Sequence, residues 1–511
     1  MRPARPSAAT SSSHPAPTRF HRRFSVRSRS ALRYVVGALV GAIVPALVIT
    51  GQAWAQEEVD PVVALGEATN LLWVVIGAIL VIFMQAGFAL VETGFTQKKN
   101  AAEVMSMNFA IFGLGFVGFL FVGFPLAFGG FSYPGYFGLD VAMNGDGLPL
   151  IGGDTTGLLF WGYDHLGSAA SPALLAFFLY MVAFMDTVAT IPTGSMAERW
   201  KWSSFVIWGL FCGAIYYPLF AAWTWGGGWL GKTWDTMGLG VGYVDVAGSG
   251  VVHAGGGVAA LAGAIVRGPR IGKIDPDGTP KAIPGHNIPM AITGCFILLF
   301  GWFGFNAAST FAATDVQFAT VATNTAIAAA VGATVAMFHI TKRTGKPDPG
   351  MLVNGMLAGL VAITAPCAFV SPWAAAVIGG VAAVIAIEAV FLLERTGIDD
   401  PVGAVAVHGV CGTFGVIAVG LFANGVYGNG WNLAVDDAGE PIPLKGVFYG
   451  EFGQLGAQLV GVVVIWTVIL GIAFAFFKIQ NTLTQGGIRV SEEIEIGGLD
   501  IPEMGVAAYN D

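Results

Sequence analysis

Long apolar runs dominate this chain, and their number leaves few folds open. Eleven of them, each about 18–28 residues, lie near 70–94, 103–128, 171–195, 202–224, 249–267, 287–310, 317–340, 351–368, 373–394, 402–425 and 455–478. A helix needs about 20 apolar residues to cross ~30 Å of hydrocarbon. None of the runs alternates polarity at every second residue, as a membrane-spanning strand would. Helices satisfy their own backbone in lipid, so helices are the reading. Composition agrees. The chain is 55% hydrophobic and 11% charged, against about 25% charged in an average soluble domain. Its 73 glycines read as close helix packing in lipid, not as phosphate loops. The four cysteines, Cys212, Cys295, Cys367 and Cys411, all fall in apolar runs without a CxxC pair. Neither a disulfide framework nor a metal site is indicated, and no cofactor is expected.

The segments between the runs set the order of the chain. Residues 1–55 read as a cleaved signal peptide. Arginines precede the apolar stretch Tyr34 to Thr50, and Ala53-Trp54-Ala55 fits a peptidase site with Gln56 as the new terminus. The rival reading is a first membrane helix, for which the stretch is short. A membrane domain over 65–482 follows, with one repeat about 70–267, a second about 287–425, and a last helix about 455–478. A polar tail, 483–511, is too small to fold alone. Of the sixteen Lys and Arg beyond the leader, fourteen lie in or beside loops after odd-numbered runs; only Lys232 and Lys445 lie on the other side. That bias puts the mature N-terminus outside and the tail in the cytoplasm, and it requires an odd number of spans. The net charge of −8 sits in loops and tail and implies no nucleic-acid partner. The longest loop, about 129–170, has no Lys or Arg and falls outside.

Two stretches repeat one arrangement. In Asp245-Val-Ala-Gly-Ser-Gly-Val-Val-His253-Ala-Gly-Gly-Gly257 the histidine follows the aspartate by eight residues and a glycine follows the histidine by four. Asp400-Pro-Val-Gly-Ala-Val-Ala-Val-His408-Gly-Val-Cys-Gly412 has the same spacing. One fold unit used twice explains this, with the imidazoles meeting where the units face each other. A charged group inside a membrane costs roughly 2.5–3.5 kcal/mol; a neutral imidazole passes a proton or hydrogen-bonds a small solute without permanent charge. The competing role for either histidine is a hydrogen bond between helices. Asp245 and Asp400 stand where their helices enter the membrane and read as N-caps, Asp400 with Pro401 at the first helical position. Asp245 also lends negative potential to an outer mouth.

Aromatic residues cluster on that outer side. Phe184 lies in the third run, Trp225-Gly-Gly-Gly228 ends the fourth, and Trp302-Phe-Gly-Phe305-Asn306-Ala-Ala-Ser309 ends the sixth. They suit interfacial anchoring, or a small cation held on ring faces with Ser309 as acceptor. Asp186 and Glu388 are carboxylates inside runs, hence functional candidates or partners of a neighbouring helix.

At these residues the chain resembles the ammonium transporter family, the Amt/Mep/Rh proteins, over about 65–511. The likeness includes Gly94-Phe-Thr-Gln-Lys-Lys-Asn100, Gly194-Ser-Met-Ala-Glu198-Arg199, Trp225-Gly-Gly-Gly and Gly301-Trp-Phe-Gly-Phe-Asn-Ala. It continues through both Asp–His stretches, Asp399-Asp400-Pro401, and Arg489-Val-Ser-Glu-Glu with Gly498-Leu-Asp-Ile-Pro502. The tail and Trp-Gly-Gly-Gly are of bacterial Amt type. The resemblance implies an all-α polytopic fold: eleven transmembrane helices, a 5+5 inverted repeat plus a long final helix, and a pore in each protomer of a homotrimer. It implies that Phe184 and Phe305 are a stacked gate. Trp225 and Ser309 form the outer ammonium site with Asp245 beneath, and His253 and His408 line the pore. Trp302, Asn306, Asp400 and Asp186 are supporting residues, and Asp186 and the long outer loop depart from the family pattern. A PII signalling protein at the cytoplasmic face is implied as a partner, with methylammonium as a substrate analogue.

Not an enzyme but an uptake protein is therefore expected: ammonium bound outside, deprotonated, and conducted as ammonia past the histidines, its proton returned or co-transported. The alternatives are an ammonium sensor that barely transports and a gas channel of Rh type. A membrane acyltransferase would want a nucleophile or metal near an interface, and a Na⁺-coupled carrier would want unwound helices with acidic or hydroxyl ligands.

Overall fold

The computed structural model describes residues 60–128 and 172–509. The expected leader, 1–55, and the long loop, about 129–170, lie outside these residues. Among the described residues ten helices are long and apolar enough to span a membrane, and an eleventh apolar helix is shorter. In chain order they are α1 (Pro61–Phe95), α2 (Lys98–Phe128), α3 (Pro172–Met196), α4 (Trp202–Thr224), α5 (Ser249–Arg267), α6 (Ile288–Thr310), α7 (Gln317–Thr344), α8 (Pro349–Ile363), α9 (Pro372–Arg395), α10 (Val405–Phe422) and α11 (Gly453–Leu483). All eleven runs read from the sequence are helices.

Several ends differ from expectation by a turn or more, two of them for a clear local reason. Helix α1 begins at Pro61 rather than near 70, because Asp60 caps it through Val62 N (2.9 Å) with proline in the first turn. Helix α8 stops at Ile363 instead of running to 368. Pro366 has no N–H to offer and blocks a continuing turn. Ser249, at the start of α5, takes over the broken end. Its Oγ donates to Val361 O (2.7 Å) and accepts from Ala365 N (2.7 Å). Ser249→Ala is expected to lower the thermal midpoint of the purified protein, since each buried group left unpaired costs about 1–3 kcal/mol.

The packing is written twice. Helix α1 packs on α3, α2 on α4 and α3 on α5; α6 packs on α8, α7 on α9 and α8 on α10. Helix α1 also lies along α6, which joins the two sets. Helices α5 and α10 meet at glycine. A methyl group on Gly257 would sit 2.1 Å from Gly409 N, and one on Gly412 would sit 2.5 Å from Ser249 O. Only hydrogen at these positions lets the two backbones approach this closely.

The basic loops share one face with the tail. Val490 N donates to Arg199 O (3.2 Å), Lys99 Nζ to Glu495 O (2.8 Å), and Leu499 N to Asn100 Oδ1 (3.0 Å). Beneath the tail, Arg270 grips Asp399 through Nε (2.8 Å) and Nη2 (3.0 Å), and Arg199 stands 3.7 Å from the same carboxylate. Burial alone would raise the Asp399 carboxyl, but the two guanidiniums hold it well below the usual carboxylate range. Its stabilising effect is therefore complete above the unfolded pKa and is lost only as pH falls through that lowered value. Asp399→Asn leaves two buried cations short of a partner, so about 3–5 kcal/mol of stability should be lost at neutral pH. Thermal unfolding of the variant, compared with wild type at neutral and at acid pH, checks this: the difference should shrink in acid.

Candidate transport site

The two Asp–His stretches fold alike. Asp245 accepts from Gly248 N (3.0 Å), Gly250 N (2.9 Å) and Val251 N (2.8 Å). Asp400 accepts from Ala404 N (3.0 Å) and Val405 N (2.7 Å). Three residues after each aspartate the chain turns on a glycine of positive φ, Gly248 (106°) and Gly403 (81°). That turn corrects the expectation for Asp400. Pro401 lies in the turn ahead of the helix, not at its first position, so the carboxylate reaches across the turn to cap. Each histidine then sits in a π-helical turn, Ser249–Ala254 or Val405–Val410, and not in a regular α-helix. Such turns recur at functional sites because the extra residue re-aims a side chain.

The turns bring the imidazoles together. His253 Nδ1 and His408 Nδ1 are 3.2 Å apart, and the rings are stacked at 27°. Two ring nitrogens share one proton only if one ring donates and the other accepts, which neutral imidazoles do. His253 is fully buried and His408 nearly so.

A third π turn, Phe303–Ala307, places Phe305 against the pair. Its ring lies 5.5 Å from His253 and stacks on Phe184 at 4.1 Å and 17°. Phe184, with Phe305 stacked on it, bounds a cavity of about 390 Å³ whose lining also includes Trp225, Asp245 and Ser309. Trp225 meets Phe184 edge to face at 5.8 Å, and its Nε1 donates to Asp245 O (2.6 Å). Ser309 Oγ donates to Phe305 O (2.8 Å), leaving oxygen lone pairs for a donor in the cavity. Both Asp245 oxygens are engaged by backbone N–H groups, so its charge acts from beneath the cavity. On the far side of the histidines, His408 lines a second, much smaller cavity toward the basic face.

The remaining candidates are dispersed. Trp302 stacks on His253 at 5.0 Å and donates Nε1 to Thr364 Oγ1 (2.9 Å), which fixes the wall of the conduit. Asn306 turns to Thr325 Oγ1 (3.0 Å) on α7. Asp186 is buried in α3, Oδ1 has no hydrogen-bond partner, and the residue does not line the aromatic cavity. Glu388 pairs with His339 (2.8 Å) and Arg343 (2.7 Å) at the basic end of α9. Sequence reasoning missed Tyr180, whose hydroxyl braces Ser309 (3.1 Å) and the Gly304 carbonyl (2.9 Å). It missed Asp315 and Tyr427, which hydrogen-bond to each other at the rim. It also missed Glu92, an acid inside the first run, which the cost of membrane charge should have flagged.

No cluster of metal-binding side chains occurs among the described residues. The description "Ammonium Transporter Family" matches residues 72–509. The chain belongs to the ammonium transporter family. It is 44% identical to the Archaeoglobus fulgidus "Ammonium transporter Amt2", over 86% of this chain and 88% of the relative. Among solved structures, the ammonium transporter fold aligns with one described as "Sensor Amt Protein" at TM-score 0.72 and 36% identity. That alignment covers 86% of this chain and 99% of the other. Saccharomyces cerevisiae Mep2 aligns at TM-score 0.68 and 27% identity, over 83% and 88%. The four residues that the family resemblance assigned to gate and pore, Phe184, Phe305, His253 and His408, form one continuous stack of rings.

Proposed function

We propose that this chain takes up ammonium across a bacterial inner membrane by stripping it to ammonia at the phenylalanine gate and conducting ammonia past His253 and His408. One observation carries the reading: two contacting imidazoles stand directly behind a ring-stacked gate, below an aromatic cavity with a carboxylate under it. The cation is attracted by the Asp245 charge and the Trp225 and Phe184 rings, and Ser309 accepts one of its N–H bonds. Carrying the bare ion further is prohibitive, with an idealised Born cost of order 20 kcal/mol. Ammonium resembles a lysine head group, with a pKa near ~10, and burial lowers such values by ~3–5 units. Proton loss at the dry constriction follows. Ammonia then exchanges hydrogen bonds with imidazole nitrogens, which offer both donor and acceptor.

The basic face is cytoplasmic in this reading, by the Lys and Arg bias. Family membership supports a homotrimer with one pore per protomer, and a PII signalling protein as a partner on the tail-bearing face. Growth on low ammonium of a yeast strain lacking its own ammonium transport tests the function: the full-length chain should restore it. The likeness to a sensor Amt structure favours a second reading, in which the same site binds ammonium and signals with little flux. Failure to restore growth by a protein that still binds methylammonium would select that reading.

A further inference from the structure

The proposed pathway does not end at the histidines. Toward the basic face His408 borders a cavity of about 20 Å³, room for one water-sized molecule. Glu92 and Asn354 supply its other polar walls, and Phe88, Leu298 and Leu357 close it. Glu92 is 3% exposed, and no step described so far uses it. Asn108 Nδ2 donates to its Oε2 (2.7 Å), and Gln85 Nε2 anchors that asparagine through Asn108 O (2.7 Å). Thr193 Oγ1 lies 2.9 and 2.8 Å from the two carboxylate oxygens and 2.6 Å from Thr190 O.

The threonine is the telling partner. It has one hydroxyl proton and two acceptor groups within reach, the Glu92 carboxylate and the Thr190 carbonyl. When Glu92 is ionised, Thr193 donates to it. When Glu92 is protonated, the carboxyl O–H donates to Thr193 Oγ1, and the threonine proton turns to Thr190 O. Both protonation states are satisfied without moving a heavy atom, which a purely structural carboxylate does not require. His408 lines the same cavity, and Asp400 stands two residues before Val402 of the lining.

We propose that Glu92 is the proton-exchange group at the inner end of the pathway, protonating ammonia as it leaves His408. This rests on the transport reading above. The Glu92 O–H bond breaks as a fourth N–H bond forms, giving ammonium and a carboxylate. Ammonium departs into water at the basic face, and the carboxylate takes its next proton from that water. Asn108 and Gln85 are positioning residues for this step.

The test is methylammonium uptake into proteoliposomes that hold the full-length protein with its basic face inward, at fixed external pH and varied luminal pH. Wild-type uptake should slow as the luminal pH rises, because reloading of Glu92 slows. General acid–base groups contribute ~10²–10⁴ in rate where nothing replaces them. Luminal water competes here, so Glu92→Gln should slow uptake about tenfold and abolish its response to luminal pH. Glu92→Asp should restore that response. Wild-type rate and wild-type luminal pH response in Glu92→Gln would overturn the proposal. If Glu92→Gln aggregates, Thr193→Val replaces it: a weakened luminal pH response supports the proposal and an unchanged one overturns it. If wild type takes up no methylammonium, it is the transport reading that fails. Infrared difference spectra on perfusing ammonium then decide the role of Glu92. A protonated-carboxyl band that is lost in wild type and unchanged in Glu92→Gln supports it, and its absence from wild type overturns it.

Discussion

Asp245→Ala protein should take up methylammonium about 10²-fold more slowly than wild type, equivalent to ~2.7 kcal/mol on the barrier, or not at all. The effect has two sources. The carboxylate holds three backbone N–H groups at the start of α5, from Gly248, Gly250 and Val251. Each one left unpaired costs about 1–3 kcal/mol, so the π turn that aims His253 has no reason to persist. The substitution also removes a full negative charge from beneath the aromatic cavity, and the Trp225 indole hangs on the Asp245 carbonyl (2.6 Å). Asp245→Asn should fare nearly as badly. Its carbonyl serves one side of the turn, while its NH₂ is forced against donors on the other. Uptake into proteoliposomes, with monodisperse elution as the check on folding, measures both. Near-normal uptake by either variant would show that neither the turn that aims His253 nor the outer cavity depends on this carboxylate.

Much of this architecture is legible in the residues alone, and the reason is physical. A spanning helix must be long and apolar throughout, so run length marks α1 to α11 without help from tertiary contacts. The repeated Asp–His spacing is equally plain, because one local fold with the same cap and turn needs the same residues at the same offsets. What the sequence conceals is direction. Nothing in its periodicity shows that Asn306 points to Thr325 while Phe305, one residue earlier, stacks on Phe184. The π turns that produce this have no residue signature. The short α8 follows from Pro366, but its repair by Ser249 needs a residue more than a hundred positions away. Glu92 is hidden for a similar reason. Its partners Asn108 and Thr193 come from two other helices, and only their convergence distinguishes it from a carboxylate at a membrane edge.

The histidine pair carries the second large effect. His253 and His408 fill the conduit behind the gate, stacked against Trp302 and Phe305 on one side and reaching Phe88 on the other. Truncating either ring to alanine opens space beside a remaining polar imidazole, and a polar space of that size admits water. Water gives back to an ion the solvation that the dry stack denies it. Charge loss then ceases to be the condition for passage. The direct measurement is paired: methylammonium uptake and K⁺ current in proteoliposomes holding wild type, His253→Ala or His408→Ala. Wild type should take up methylammonium and exclude K⁺. Each variant should lose about tenfold or more in uptake, and K⁺ should pass with what remains. Normal, K⁺-excluding methylammonium uptake by both variants would contradict the account.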